Sequence, residues 1–222
     1  MEDYKRQCIE FMAACGALRL GRFVTKSGRV SPYFIDSGRF DSGRRIARVG
    51  EFFADALAGR EGDFDLIYGP AYKGIPLAVA VSIALARRGL NVPFVFNRKE
   101  AKDHGEGGGL VGRIPCPGER VLIVEDVTTA GTSVRETAAL LAAASPGAIL
   151  AGLAVLVDRQ ERGPGGRGAL EELGEEFGLH AIAIVNLDEI VAHLHNRPLD
   201  GKVHLDDEML ERIREYRKQY GA

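Results

Sequence analysis

The chain has 222 residues, of which 45% are hydrophobic and 27% charged, and carries a formal net charge of -2. This is the profile of one soluble globular domain, long enough to bury roughly 70–75% of its unfolded surface in a core that needs no covalent staples. Near-neutral charge speaks against a nucleic-acid or membrane-surface protein, since both carry a basic face.

The first eighteen residues mix acids and bases among their apolar positions, so they do not read as a signal peptide, and no apolar run approaches membrane-spanning length; a cytoplasmic location is expected. Cys8, Cys15 and Cys116 are odd in number and lack C-x-x-C spacing, which suggests neither a disulfide framework nor a zinc site. Ile9, Phe11, Met12, Leu18 and Leu20 recur at roughly helical spacing and predict an amphipathic helix ending near Gly16 or Gly21. Lys26, Ser27 and Gly28 then read as a turn between two short extended runs. Helical periodicity over 44–58 predicts a core helix. A short strand at 65–68 follows, then the loop G-P-A-Y-K-G-I-P and a long apolar helix to about Arg88.

A strand at 92–96 leads into N-R-K-E-A-K-D-H-G-E-G-G-G-L-V-G-R. Residues 107–112 formally match G-x-G-x-x-G, but a dinucleotide fingerprint follows a strand directly and opens a helix, whereas these glycines follow a charged loop and run toward Pro115 and Pro117. Glycines as hinges and Arg98, Lys99, Lys102 and His104 as cations describe a mobile lid for a polyphosphate. Buried strands are predicted at 121–124, 148–157 and 181–185, with helices at 134–144 and 169–177. The stretch 187–220 reads as helical and charged. His193 and His195, two apart, make a poor metal pair and read as surface residues, and 209–220 as a solvated amphipathic helix.

The chemistry concentrates in V-L-I-V-E-D-V-T-T-A-G-T-S, residues 121–133. A buried strand here delivers Glu125 and Asp126 to its carboxyl end, where open α/β sheets bind ligands. Thr128, Thr129, Gly131, Thr132 and Ser133 follow and open a helix, whose free N–H groups hold a phosphate without a lysine. Two carboxylates repel a phosphate but accept hydrogen bonds from a sugar diol or sit in a Mg²⁺ shell, so the pieces describe a ribose 5-phosphate cradle. Lys73 lies in a second strand-to-helix loop at the same sheet edge, suited to a pyrophosphate. Arg159, after the strand at 148–157, offers a planar fork for a carboxylate.

Residues 121–133 resemble the phosphoribosyl pyrophosphate (PRPP) motif of type I phosphoribosyltransferases, with Glu125 where many members have Asp. T-K-S-G-R-V-S-P-Y-F, G-P-A-Y-K-G, R-K-E-A-K-D-H-G and D-R-Q-E-R-G resemble the matching segments of the orotate-using branch of that family. The resemblance implies an α/β fold with a mostly parallel sheet flanked by helices, as one domain over 1–222: an N-terminal hood over about 1–42, a core over about 43–186 and a helical segment over about 187–222. It implies transfer of the phosphoribosyl group of PRPP to orotate, giving orotidine 5'-monophosphate and pyrophosphate. PRPP binding is carried onto Lys26, Tyr72, Lys73, Arg98, Lys99, Lys102 and His104, and onto Glu125, Asp126, Val127, Thr128, Thr129, Ala130, Gly131, Thr132 and Ser133. Orotate binding falls on Lys26, Phe34, Ile35, Thr129 and Arg159, and catalytic roles on Lys102, His104 and Asp126. Mg²⁺ is implied as cofactor, held mainly by PRPP, with Glu125 and Asp126 reaching it through water. The resemblance also implies a homodimer whose lid crosses to the neighbouring site, no nucleic-acid or membrane partner, and a cis Ala71–Tyr72 bond. The alternatives are a purine or uracil phosphoribosyltransferase, or a non-catalytic PRPP-sensing regulator on the same fold.

Overall fold

In the computed structural model, which describes residues 1–25, 28–99, 109–128 and 131–222, the chain opens with α1 (Asp3–Ala14). The expected helix stops there: Gly16 adopts φ +73°, and Leu18 and Leu20 belong to β1 (Leu18–Val24), which pairs antiparallel with β2 (Val30–Ile35). A 3-10 turn at Ser37–Arg39 leads to α2 (Gly43–Ala56), whose first turn is capped by the Ser42 hydroxyl accepting from Arg45 N. Then come β3 (Leu66–Gly69), α3 (Gly74–Arg87), β4 (Phe94–Asn97), β5 (Leu110–Gly112) and β6 (Arg120–Thr128). The chain continues through α4 (Thr132–Ala144), β7 (Ile149–Asp158), α5 (Ala169–Phe177), β8 (His180–Asn186) and α6 (Leu187–Leu194). A two-stranded hairpin of β9 (Pro198–Leu199) and β10 (Lys202–Val203) precedes α7 (Asp207–Tyr220).

Among the described residues the main sheet has the order β5-β4-β3-β6-β7-β8, parallel throughout except for the β4–β5 edge. Leu110–Gly112, expected within a glycine lid, is thus an edge strand. Strand alternation divides the apolar residues between two cores. Leu122, Val124 and Ile184 face α1, α2, α3, α6 and α7, while Val121, Ile123 and Val155 face α4 and α5. Both faces are covered, which is why the parallel strands read as unbroken apolar runs. Val121, Ile123 and Val124 are completely buried, each such burial stabilising by about 1.5–3 kcal/mol.

The stretch after β8 differs most from expectation. Asn196 and Asp200 sit at positive φ with Gly201, turning the chain into the short hairpin instead of continuing a helix. His193 is buried, its Nε2 2.9 Å from Glu10 Oε1 on α1, so it fastens α6 to α1 and is not a surface residue. α7 is solvated on one side only; Ile213 and Tyr216 are buried against the rest of the molecule. Among the described residues, no helix is long and apolar enough to cross a membrane.

Candidate active site

From β3 the chain runs outward through β4 to β5, then returns to the other side of β3 as β6 and continues outward through β7 to β8. The reversal between β3 and β6 opens a crevice beyond their carboxyl ends, the ligand position of open α/β sheets. The loop after β3 turns back on itself so tightly that a Cβ on Gly69 would lie 2.2 Å from Gly74 O, which only glycine avoids. The Ala71–Tyr72 peptide is cis, as expected, and Ala71 N donates to Asn97 Oδ1 at 2.8 Å, tying the loop to the end of β4. Lys73 Nζ is 3.2 Å from Asp126 Oδ2, joining the loops of the two central strands across the crevice. Tyr72 and Lys99 are exposed and meet in a cation–π contact, Nζ 5.0 Å from the ring centroid. Arg98 N donates to Gly109 O at 2.8 Å; its Nε is buried with no hydrogen-bond partner among the described residues, a donor free for a ligand oxygen.

Glu125 and Asp126 were expected just past the strand, yet β6 continues through Thr128, so the two acids point to opposite faces. Asp126 faces the hood: its Oδ2 accepts from the Ser37 hydroxyl and from Lys73, and its Oδ1 accepts from Val127 N at 2.8 Å. Glu125 is buried on the α4 side. Burial pushes its pKa up to about 7; a hydrogen bond with the Ser133 hydroxyl opposes this, while the charges of Asp126 and Glu136 add to it. Val127 is half-buried and Thr128 buried. Gly131 sits at φ +70°, and a Cβ there would come within 2.7 Å of Leu173, so this turn into α4 is reserved for glycine. α4 begins without a side-chain cap among the described residues, with Thr132 exposed and Ser133 half-buried, and the first N–H groups of a helix have no intrahelical partner.

Arg159 follows β7, whose Asp158 pairs with Thr128. It is buried, its guanidinium 4.8 Å from the Tyr33 ring centroid, with Nη2 3.3 Å from Ser31 Oγ and 2.6 Å from Glu161 Oε1. Burial acts to lower its pKa, but Tyr33 and Glu161 outweigh that and hold the group above its ordinary value, so it is a permanent cation. Phe34, next along β2, projects to the other face and stacks on Phe23 at 5.6 Å between centroids. Ile35 has its side chain in the main core, so any contact with a base runs through its backbone. Lys26, Lys102, His104, Thr129 and Ala130 lie outside the described residues.

Three groups were not singled out from the sequence: Ser37 on Asp126, Asn97 on the Ala71 amide, and Glu161 on Arg159. Each signal was faint, a polar residue inside or beside a quoted segment; Ser37 and Asn97 have partners far along the chain, and Glu161 sits two residues from Arg159 without any local sign of the contact. Among the described residues, no three His, Cys, Asp or Glu side chains gather to cage a metal. With the two carboxylates on opposite faces of β6, the donor set fits a Mg²⁺ that keeps its waters and is carried chiefly by phosphate oxygens.

Crevice, glycine turns and uncapped helix start together define a phosphoribosyl transferase domain, and a model of the family of that description matches residues 40–165. The chain is 46% identical over 224 residues to orotate phosphoribosyltransferase from Clostridium botulinum, covering 100% of both chains. It is 48% identical over 223 residues to the enzyme of that name from Nitrosococcus oceani, covering 100% of this chain and 97% of the relative. The crystal structure of orotate phosphoribosyltransferase from Francisella tularensis superposes with a TM-score of 0.81 at 32% identity, over 97% of this chain and 100% of that one. The chain belongs to the orotate phosphoribosyltransferase family and is a transferase.

Proposed function

We propose that the chain transfers the 5-phosphoribosyl group of PRPP to orotate, giving orotidine 5'-monophosphate and pyrophosphate, in cytoplasmic pyrimidine nucleotide synthesis. One observation carries the reading: Lys73, Asp126 and Arg159 issue from the carboxyl ends of β3, β6 and β7, with Lys73 and Asp126 meeting at 3.2 Å over the switch point. A cation for a leaving pyrophosphate, an acceptor for a sugar diol and a cation for a carboxylate therefore line one sheet edge.

Breaking the ribose C1–O bond builds positive charge on the sugar and negative charge on the departing pyrophosphate, so catalysis rests on positioning and charge stabilisation. In this reading Lys73, Tyr72, Arg98 and Lys99, with Lys102 and His104, surround the pyrophosphate. Asp126 accepts the ribose hydroxyls and favours the cationic sugar, while Glu125, on the α4 side of β6, holds the Ser133 hydroxyl at the start of that helix. The 5-phosphate lies against the first N–H groups of α4, with Val127, Thr128, Thr129, Ala130, Gly131, Thr132 and Ser133 as the residues that cradle it. Arg159 holds the orotate carboxylate while Lys26, Phe34, the Ile35 backbone and Thr129 flank the ring, presenting its nitrogen to the face opposite the pyrophosphate. Asp126 and Glu125, through water, would help hold a Mg²⁺ carried by PRPP, which when bound would add to the neutralisation of the pyrophosphate. The reading includes one domain over 1–222, and a homodimer in which the loop bearing Lys102 and His104 serves the partner's site.

Mixing the protein with orotate, PRPP and Mg²⁺ and following orotate absorbance tests this; unchanged absorbance with well-folded protein removes it, and PRPP binding without turnover favours a sensor. Competing uracil and purine bases against orotate separates the branch from its relatives. Lys102→Ala is expected to lower kcat by about 100-fold while KM for PRPP moves little, because a leaving-group contact matters most at the transition state. Equal losses in both parameters, or none, count against that role.

A further inference from the structure

Glu161, two residues beyond Arg159, is 5% exposed and has no part in the proposed transfer step. Its Oε1 is a hub: Arg159 Nε donates to it at 2.9 Å, Tyr33 OH at 3.0 Å and Tyr216 OH at 2.9 Å, with Arg159 Nη2 at 2.6 Å. These donors come from β2, the loop after β7, and α7. On its other oxygen, Glu161 faces Arg29 Nη1 at 4.0 Å, and Arg29 in turn lies over the Tyr220 ring at 4.7 Å. The backbone around it is fastened too: Arg162 N donates to Tyr220 O and Ala222 N to Gln160 O, both at 2.9 Å. Gln160 holds φ +52° while its side chain exchanges hydrogen bonds with Asp188 on α6.

A guanidinium offers two forks, Nε with Nη2 and Nη1 with Nη2. Glu161 takes the first. Nη2 spends its remaining proton on the Ser31 hydroxyl, and among the described residues Nη1 enters no hydrogen bond, so the Nη1 end of the second fork is the part left for a ligand carboxylate, which reaches Nη2 only by displacing Ser31. The Tyr33 ring beneath the guanidinium and the Ser31 hydroxyl at Nη2 fix its plane. A buried arginine without such a counter-charge is costly and finds whatever acceptor it can reach. The same arginine, locked along one edge, presents the other at a set angle.

We propose that Glu161, with the Tyr216 hydroxyl of α7, is a positioning residue that sets the orientation of Arg159 and thereby the preference for a carboxylated pyrimidine. This rests on the assignment of Arg159 to the orotate carboxylate. α7 then belongs to the specificity machinery of the site, although it touches no substrate.

Glu161→Gln and Tyr216→Phe test it, with thermal unfolding followed for each. Glu161→Gln is expected to raise KM for orotate about ten-fold and Tyr216→Phe about three-fold, with KM for PRPP within about two-fold of wild type and kcat little changed. Preference for orotate over uracil, which lacks the carboxylate, should fall by about the same factors, since uracil never used the fork. Tyr216→Phe keeps the packed ring and removes only the hydroxyl, so it reads the effect even if Glu161→Gln unfolds. A fall in melting temperature with both KM values moving together, or unmoved, means Glu161 is merely structural and overturns the proposal. A lower KM for orotate in Glu161→Gln overturns it too, because Glu161 then competes with the substrate's charge. Wild-type protein that turns over orotate while the variants keep its preference sinks only this inference; wild-type protein that does not turn it over removes the functional reading as well.

Discussion

The two walls of the site are built on opposite terms. On the pyrophosphate side, the Lys73 side chain is 61% exposed and its partner Asp126 16%, and they meet through a single ion pair at 3.2 Å. On the pyrimidine side, the side chains of Arg159 and Glu161 are 8% and 6% exposed, enclosed by two tyrosine hydroxyls and a serine. In the proposed assignment, the first wall must release its internal pair to receive a highly charged, strongly hydrated ligand, so its groups stay close to water. The second, in the same assignment, discriminates between flat rings by one carboxylate, and rigid placement of a buried cation serves that better.

The largest effect that can break this comparison is on stability. Arg159→Ala leaves Glu161 buried without its cation and should cost about 3–5 kcal/mol, read by urea denaturation, besides abolishing the preference for orotate. Lys73→Ala removes a largely exposed partner and should cost less than about 1 kcal/mol while lowering kcat/KM for PRPP sharply. Similar losses of stability at the two positions would mean that the walls do not differ in kind.

Glu125 sharpens the comparison, since it is a buried carboxyl group on the open wall. Its folded-state pKa of about 7 lies above its ordinary 4.5, so between these values the folded protein keeps a proton that the unfolded chain releases. Stability therefore falls as pH rises through that window and levels off above it, by up to about 3 kcal/mol. Glu125→Gln cannot ionise. It should match wild type at pH 4.5 and exceed it at pH 8 in urea unfolding without PRPP or Mg²⁺, while losing activity. Parallel stability curves for the two proteins would show that Glu125 is not desolvated.

How much of this was legible follows from the range over which each feature is encoded. The strands at 121–124 and 148–157, the helix at 169–177 and the turns at Gly69 and Gly131 announce themselves in a few neighbouring residues. So did the chemistry of Lys73, Asp126 and Arg159, because each lies at or just beyond the carboxyl-terminal part of a strand and so at the same sheet edge. The separation of Glu125 from Asp126 needed one more fact, that β6 runs on to Thr128. With an apolar run stopping at Val124 and two acids following, a strand end was the natural reading. The cage around Arg159 was beyond reach: Tyr33 and Tyr216 lie 128 and 55 residues from Glu161, and nothing local in Y-F-I or R-E-Y-R points to it. Likewise His193 reads as a charged-helix residue until α1 packs Glu10 against it. Local patterns carry elements; pairings between distant polar groups are set only when the elements pack.

The smallest expected effect lies where the hood touches the open wall. Ser37, in the 3-10 turn after β2, donates its hydroxyl to Asp126 Oδ2, the oxygen that also takes Lys73. It ties the hood to β6 and fixes the carboxylate's rotation, leaving Oδ1 on the Val127 amide. Removing one neutral donor from a half-buried acceptor costs about 1 kcal/mol, because water or Lys73 can take its place. Ser37→Ala should thus unfold almost like wild type, yet raise KM for PRPP about three- to ten-fold through the looser diol acceptor, with KM for orotate unchanged. That split mirrors the one expected at Glu161, and the pair of variants asks whether the two walls can be perturbed independently. If Ser37→Ala shifts both KM values alike, the hood moves as one piece over the whole crevice, and the division into an open wall and a closed wall describes exposure but not function.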